Sequence, residues 1–214
     1  MLSTNGSRKG IIVVIASYRY GHLAAHCIES ILSQTVKPDS VLFVDDGVGD
    51  CLHLPKLYPS VNYLMRDKNL GVVANFQDIL FRLPNNHRVM FLGADNWLRD
   101  DCIELVSISD ADIVTYDIFV TGEKKSEILD RHGNRCNNIY GGHYWDITGG
   151  HHGSMLYDVN IAKNVGGYSH NPNKSRSEED KVLFKKMLKA GAKVEHIHDS
   201  LLFYRRHTGN FNPC

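Results

Sequence analysis

The feature that most constrains the fold is an alternation of strand-like and helix-like segments along the first half of the chain. Residues 11–17, I-I-V-V-I-A-S, form a continuous run that is typical of a strand covered on both faces. Residues 23–34 follow with apolar side chains at helical spacing. The same order recurs later, with strands predicted at 41–46, 61–65, 89–92 and 113–116 and helices around 72–83 and from about residue 100. Repeated β-α-β units predict an α/β fold in which helices flank a mostly parallel, doubly wound, Rossmann-like sheet.

The ends of these predicted strands carry the candidate binding residues. Doubly wound sheets bind ligands at the carboxyl ends of their strands, near the point where the strand order reverses. Three of the ends read Ser17-Tyr18-Arg19, Asp45-Asp46-Gly47 and Gly93-Ala94-Asp95-Asn96. They offer an aromatic ring and several carboxylates, although aspartate, asparagine and glycine are also ordinary turn residues.

Length and charge limit the classes of partner. With 214 residues, the chain suits one domain, which we expect at 11–214 after a flexible N-terminal tail at 1–10. Lysine plus arginine (24) balance aspartate plus glutamate (24), which argues against nucleic acid as a partner. The longest apolar run, residues 11–16, is far below the roughly 20 residues of a transmembrane segment. We therefore expect a soluble, unsecreted chain.

The cysteines and histidines indicate no metal or redox centre. Five cysteines are odd in number and include no C-x-x-C pair, which fits reduced thiols in a cytosolic setting. Among 12 histidines, His196-Ile197-His198 alternates as a strand would, without an H-E-x-x-H motif or a Cys/His set. The sequence therefore predicts no zinc site.

The second half contains one informative helix. Residues 133–153 are rich in Gly, Asn and His and predict long loops over a site. In the helix predicted at 178–191, at about 100° per residue, Asp180 falls near the centre of the apolar stripe and Glu179 at its edge. We therefore expect Asp180 to point inward. The helix dipole would keep its carboxylate ionised, as a base requires, although a capping role is the alternative.

Short motifs in a fixed order add a resemblance. In chain order they are S-Y-R at 17–19, E-S-I-L-S-Q-T at 29–35, V-D-D-G at 44–47, N-L-G-V-V-A-N at 69–75, G-A-D-N-W at 93–97, G-G-Y at 166–168, E-D at 179–180 and Y-R-R-H-T-G-N at 204–210. Together they cover most of the chain, and they resemble family 2 of the inverting glycosyltransferases, which have the GT-A fold. The resemblance implies a nucleotide-binding half at 11–100 and an acceptor-side half at 101–214.

The resemblance also implies which residues bind a nucleotide-sugar donor. Tyr18 can stack on the base, and Ala16 contacts the nucleotide through its backbone. Asp46 can accept a hydrogen bond from a pyrimidine N–H, which uracil and thymine have, so UDP is favoured, with dTDP as the alternative. Asn75 and Ala94 complete the predicted nucleotide-binding set.

Asp95 is the candidate metal ligand. A Mn²⁺ or Mg²⁺ ion takes oxygen ligands and can accept few of them from protein when phosphates and water supply the others. Gly93 and Asn96 stand where the family often has further acids, so we expect the donor's diphosphate to hold most of the ion. The Y-R-x-H motif implies that His207 is a second protein ligand.

The catalytic residues follow from the E-D motif. Asp180 is the predicted general base that deprotonates an acceptor hydroxyl, and Glu179 is its alternate, holding acceptor or water. Weaker candidates for contacts to the sugar or the acceptor are Trp97, Gly150, His151 and His152.

Two other functions fit parts of this pattern. A GT-A-like nucleotidyltransferase would share the nucleotide half, but it would bring a phosphate loop where 17–21 reads S-Y-R-Y-G. A non-catalytic nucleotide- or carbohydrate-binding relative would explain why Gly93 and Asn96 replace acids of the metal motif. It would not explain why Asp180 and His207 are retained. We expect a cytoplasmic enzyme, either free or peripheral at a membrane face, with a glycan acceptor in polysaccharide biosynthesis. The sequence predicts no oligomeric state. The compact length suits a bare catalytic domain or one cut from a longer protein.

Overall fold

The computed structural model describes residues 9–122, 128–129, 135–136, 142–144, 151–172, 178–207 and 209. Its strands are β1 (Gly10–Ser17), β2 (Ser40–Asp45), β3 (Asn62–Met65), β4 (His87–Gly93), β5 (Trp97–Leu98), β6 (Ile113–Gly122), β7 (Ile128–Leu129), β8 (Arg135–Cys136), β9 (Gly142–Tyr144), β10 (Met155–Asp158) and β11 (Val194–Arg206). Its α-helices are α1 (Ala24–Leu32), α2 (Leu54–Leu57), α3 (Val72–Arg82), α4 (Cys102–Ile108), α5 (Val159–Asn164) and α6 (Glu179–Lys189). A short 3₁₀ helix spans His152–Ser154.

One mixed sheet forms the centre of the fold. Its strand order is β3-β2-β1-β4-β10-β6-β11-β5, and β9 also pairs with β6. The strands β3, β2, β1 and β4 are all parallel. Beyond them, β10 runs antiparallel to both β4 and β6, and β11 is parallel to β6. The predicted doubly wound α/β fold in one domain is therefore confirmed, and its second half is mixed rather than parallel.

Apolar side chains form one layer on each face of the sheet. In β1, Val13 and Ile15 belong to one layer and Ile12 and Val14 to the other, because successive side chains of a strand point to opposite faces. Helices α1 and α4 cover the first layer, while α3, α5 and α6 cover the second. Each fully buried aliphatic side chain contributes about 1.5–3 kcal/mol. The continuous apolar run at 11–17 is thus explained by a strand with helices on both sides.

Several elements depart from the sequence-based predictions. The strand predicted at 113–116 continues to Gly122, and β9 pairs with it inside the segment predicted to be loops. The strands β5 and β10 and the helices α2 and α5 were not predicted at all. These elements are two to six residues long, too short for a hydrophobic period to show.

Two expectations about the chain can be compared with the described residues. No helix among them combines the length and apolar character needed to cross a membrane. Cys27, Cys51 and Cys102 are free thiols in buried positions. Burial raises the pKa of Cys51 and of Cys102 to about 12, so both remain protonated and unreactive at neutral pH.

Candidate active site

Three strand ends meet at the point where the strand order reverses. The chain runs from β1 through β2 to β3 on one side of β1 and then returns to place β4 on its other side. The Ala94 N–H donates to the Ala16 carbonyl at 3.0 Å, and the Asp46 N–H donates to the Ser17 carbonyl at 2.9 Å. Ala16, Asp46 and Ala94 are therefore brought together at the carboxyl edge of the sheet.

The two aspartates after β2 have different environments. The Asp45 carboxylate accepts hydrogen bonds from the N–H groups of Val48 (3.0 Å) and Gly49 (2.8 Å), which closes the turn. The Asp46 carboxylate, in a residue only 4% exposed, accepts one from the Leu70 N–H at 3.0 Å through Oδ1. Gly47, which follows Asp46, has φ 79°, and a side chain there would meet the Lys68 backbone at 2.2 Å. The turn thus requires glycine, and it leaves Asp46 as the acid available at the site.

Arg66 connects these residues and was missed from the sequence. Its Nε donates to Asn75 Oδ1 at 2.8 Å and lies 3.8 Å from Asp46 Oδ1. Its Nη2 donates to Asp78 Oδ2 at 2.7 Å. Hydrogen bonds from Arg82 and then from Arg66 lower the pKa of Asp78. Arg66 directly follows β3, so inspection of that fourth strand end would have found it.

Tyr18 and Arg19 follow β1 at the rim of the site. Arg19 has φ 67°, in the left-handed region that asparagine and glycine occupy more easily. Its guanidinium lies 5.0 Å from the centre of the Tyr18 ring, a cation–π distance. Tyr18 itself is half-buried, so part of the ring remains open to a planar ligand.

The end of β11 holds the loop that carries Asp95. Asp95 is 6% exposed, and His207 Nε2 lies 3.3 Å from its Oδ2. The Arg205 N–H donates to Asn96 Oδ1 at 2.9 Å, and Arg205 Nε donates to the Asp95 carbonyl at 3.0 Å. Asn96 also donates to Asp95 Oδ1 at 3.0 Å. Asn96 therefore ties the Asp95 loop to the C-terminal strand.

The donor atoms at this loop fit a divalent cation. A carboxylate oxygen and an imidazole nitrogen 3.3 Å apart suit an ion such as Mn²⁺, which accepts both ligand types. A side chain at Gly93 would meet Asp95 Oδ1 at 2.7 Å, so glycine lets that carboxylate fold back over the strand end. The Gly209 N–H donates to His207 Nδ1 at 3.2 Å, which places the proton of the neutral ring on Nε2, facing Asp95. Cation binding through Nε2 requires the proton to move to Nδ1, which breaks the hydrogen bond from Gly209.

At the start of α6, the expected burial of the two acids is wrong. Glu179 is 7% exposed, and its Oε1 lies 3.1 Å from His152 Nε2, whereas Asp180 is half-buried. Glu178, the N-cap residue directly before α6, has the left-handed conformation with φ 41°. Helical periodicity gives the direction of a side chain only around the helix axis. It does not show that the 3₁₀ turn at 152–154 covers Glu179 from outside the apolar stripe. Asp180 is consequently the more exposed of the two acids, and its Oδ1 accepts a hydrogen bond from the Lys181 N–H at 2.7 Å.

His152 continues inward from Glu179. Its Nδ1 lies 3.4 Å from the Tyr168 hydroxyl, which is 2.5 Å from the Tyr157 hydroxyl. Burial raises the pKa of both tyrosines, so they remain protonated. The Phe76 ring packs 4.3 Å from the imidazole, centre to centre. Glu179 and His152 are thus part of a buried polar chain that fixes the start of α6.

His151 has a different environment. The Gly153 N–H donates to its Nδ1 at 3.2 Å, and its ring meets Tyr204 edge to face at 5.5 Å. Desolvation lowers the pKa of His151 to about 4, against the opposing charge of Asp180. The ring is therefore neutral at physiological pH and carries its proton on Nε2, as a hydrogen-bond donor.

The remaining weak candidates have mixed outcomes. Trp97 stacks on His26 at 4.6 Å and on Phe203 at 5.3 Å, and the Arg205 guanidinium lies 4.9 Å from its ring. Protein groups therefore already pack on the indole, and a sugar contact there stays a prediction. Gly150 lies outside the described residues.

Comparison with known proteins confirms the family that the sequence motifs resemble. The family model described as Glycosyl transferase family 2 matches residues 12–166, more than half of the chain. The curated protein Glycosyltransferase GlyA of Streptococcus pneumoniae serotype 4 is 25% identical over 161 residues, which are 72% of this chain and 21% of that protein. The chain thus spans about a fifth of the length of this relative.

Solved structures share the fold. A crystal structure of S. aureus TarS 1-349 has a TM-score of 0.68 and 13% identity, and the match covers 92% of this chain and 60% of that one. The same TarS fragment in complex with UDP-GlcNAc also has a TM-score of 0.68 and 13% identity, covering 94% of this chain and 60% of that one. A third structure contains that fragment with UDP, at 15% identity and a TM-score of 0.68, covering 92% of this chain and 60% of that one.

Proposed function

Because the chain belongs to glycosyl transferase family 2, we propose that it moves a sugar from a nucleoside diphosphate donor to a hydroxyl group of a glycan acceptor. The observation that carries the proposal is the meeting of the β1, β2 and β4 ends, where Asp46 and Asp95 follow the two strands that flank β1 at the switch point. A UDP-sugar is favoured, because TarS, which shares the fold, has been crystallised with UDP and UDP-GlcNAc.

The nucleotide occupies the carboxyl edge of β1, β2 and β4 in this proposal. Tyr18 stacks on the base, and the backbone at Ala16 and Ala94 lines its pocket. Asp46 Oδ1 is held by the Leu70 N–H, so we assign its other oxygen to the N–H of a uracil ring. Asn75 acts through Arg66, because its Oδ1 accepts a hydrogen bond from Arg66 Nε at 2.8 Å. The guanidinium held in this way brings positive charge beside Asp46.

Asp95 and His207 are the residues that would hold a Mn²⁺ or Mg²⁺ ion. When bound, the ion supplies positive charge that neutralises the departing diphosphate. The protein contributes a buried carboxylate oxygen of Asp95, whose loop is held by Arg205 and Asn96, and the Nε2 nitrogen of His207. Two protein ligands leave most of the coordination to the donor's phosphates and water.

Asp180 is the proposed general base of an inverting transfer. The acceptor O–H gives its proton to Asp180 as the oxygen forms a bond to the anomeric carbon. The bond from that carbon to the diphosphate oxygen breaks, its electrons leave with the nucleoside diphosphate, and the anomeric configuration inverts. A positioned base contributes about 10²–10⁴ in rate. The half-buried Asp180 beside neutral His151 supports this role, with His151 Nε2–H able to donate to the acceptor or the sugar.

Glu179 has a supporting role in this account. Its carboxylate is hydrogen-bonded to His152, so Glu179 positions the first turn of α6 and hence Asp180. The acceptor belongs to polysaccharide biosynthesis in our proposal, and the enzyme works in the cytoplasm, at a membrane face where the acceptor is lipid-linked.

A donor panel tests the proposal. The protein is incubated with UDP-, dTDP-, GDP- and CMP-sugars and Mn²⁺, and release of free nucleotide is measured with and without EDTA. We expect UDP release from at least one donor, lost on chelation. Formation of a nucleoside triphosphate and a sugar 1-phosphate when pyrophosphate is added would instead indicate a nucleotidyltransferase, and donor binding without release of any nucleotide would indicate a non-catalytic relative; either result refutes the proposal.

A further inference from the structure

The strand pair β6 and β11 contains a cluster of ligand-type side chains that the proposed transfer does not use. Asp117 lies in the middle of β6, while His196 and His198 lie near the start of β11. Their possible ligand atoms all lie within 4.8 Å of one another. The sequence predicts no zinc site at the two histidines, because the third ligand comes from a strand about 80 residues earlier in the chain.

An irregular ladder creates this arrangement. His196 pairs with Thr115 and Ile197 with Tyr116, but Asp117 then pairs with Ser200. The register shift places His198 and Asp199 as extra residues opposite the bond between Tyr116 and Asp117. Bulges of this kind bend a strand and redirect side chains, and they are common at functional positions. Here the bulge keeps His198 beside Asp117 and His196 instead of moving it along the ladder.

His196 and Asp117 have the geometry of two ligands of one ion. Their side chains are 4% and 3% exposed, and His196 Nε2 lies 3.0 Å from Asp117 Oδ1. Two atoms that each bind zinc at about 2.0–2.1 Å are roughly 2.9–3.4 Å apart, depending on the angle at the metal. The observed separation falls in that range.

The other ring nitrogen of His196 has a partner of the kind that metal-binding histidines use. Its Nδ1 lies 2.8 Å from the Thr115 hydroxyl. Zinc-binding histidines commonly donate their second N–H to an oxygen, which fixes the ring and leaves the first nitrogen free to bind. Thr115 can fix His196 in the tautomer that presents the Nε2 lone pair to an ion beside Asp117.

His198 supplies the third ligand from the exposed side. Its ring centre lies 4.7 Å from that of His196, at an interplanar angle of 76°. Because His198 is exposed, its side chain can turn toward the other two ligands at little cost. A His₂Asp set with an open fourth position suits zinc, since imidazole and carboxylate are both ordinary zinc ligands.

We propose that Asp117, His196 and His198 bind a zinc ion that fastens β11 to β6. The site is apart from the Asp95–His207 pair, because Asp117 lies five residues before Gly122, which pairs with Arg206. Five residues of strand span roughly 17 Å. The ion would therefore act on the strand that positions Arg205 and His207, without touching the sugar donor.

Zinc binding by the whole, untagged protein tests this proposal. After EDTA treatment and dialysis, Zn²⁺ is titrated against a chromogenic chelator, and bound metal is counted by elemental analysis. We expect one tight equivalent in the wild type, a visible absorption spectrum of low-symmetry Co²⁺ when cobalt replaces zinc, and a rise in Tm of several degrees on adding Zn²⁺. The variants H198A and H196A should each weaken zinc binding at least about tenfold.

Two controls separate this cluster from other sources of zinc binding. The double variant H22A/H53A removes two exposed histidines away from the cluster and should bind zinc as the wild type does. H198A is the decisive variant, because an exposed side chain can be removed without loss of folding. The proposal is wrong if the wild type binds no zinc, if H198A binds it unchanged, or if D95A rather than H198A abolishes binding.

Discussion

Replacing Glu179 by alanine should destabilise the protein through His152. The Glu179 carboxylate is buried and lies 3.1 Å from His152 Nε2. Removing one partner of a buried hydrogen bond leaves the other without compensation for its lost hydration, at a cost of about 1–3 kcal/mol. Replacing His152 should cost at least as much, because its ring also packs against Phe76.

The pair is best measured with a double-mutant cycle. Urea unfolding at pH 7 of Glu179→Ala, His152→Ala and the double variant gives the coupling free energy directly. We expect the double variant to be less destabilised than the sum of the single variants by about 1–2 kcal/mol. Lys185→Ala, an exposed change on the same helix, is the matched control and should change the free energy of unfolding by less than about 0.5 kcal/mol. Additive single effects would refute the assignment of Glu179 to the buried chain.

Three further changes follow from the site. Because the His151 pKa is about 4 in the folded protein against 6.5 otherwise, the unfolded chain binds the proton first, and stability should fall as the pH drops from 6.5 toward 4. At pH 5 the wild type should have lost roughly 2 kcal/mol of its free energy of unfolding through this group. The variant His151→Gln, unfolded at pH 7 and at pH 5, should lose correspondingly less than the wild type. Gly93→Ala should displace the Asp95 carboxylate and raise the Mn²⁺ concentration for half-maximal turnover at least about threefold; an unchanged metal requirement would refute the contact. Arg66→Lys cannot hold Asn75 and Asp78 together, so donor KM measured by nucleotide release should rise about tenfold, and a donor KM equal to wild type would contradict that role.

The sequence was sufficient for the parts of the fold and site that depend on periodicity. The parallel order of the first four strands implied that their ends share one edge, and Ala16, Asp46 and Ala94 do meet there. The strand β10 could not be predicted in this way. It is a four-residue strand between β4 and β6, and its antiparallel direction is fixed by those neighbours and by no local pattern.

The predicted burial of Glu179 and Asp180 was wrong for a similar reason. Helical spacing gives the angle of a side chain around its own axis, whereas Glu179 is covered by His152 from a segment 27 residues earlier. Arg66 and the Asp117 cluster also depend on contacts between strands distant in the chain. Such contacts become visible only when the register of the sheet is known.

The most direct test of the proposed mechanism is the turnover of Asp180→Asn with its donor affinity measured in parallel. Glu178→Gln, the same carboxylate-to-amide change at the helix start, is the matched control. We expect Asp180→Asn to lower kcat about 10²–10⁴-fold while the donor Kd stays within about twofold of wild type. Turnover of Asp180→Asn close to that of the wild type, or loss of donor binding in its place, would contradict the assignment of Asp180 as the base.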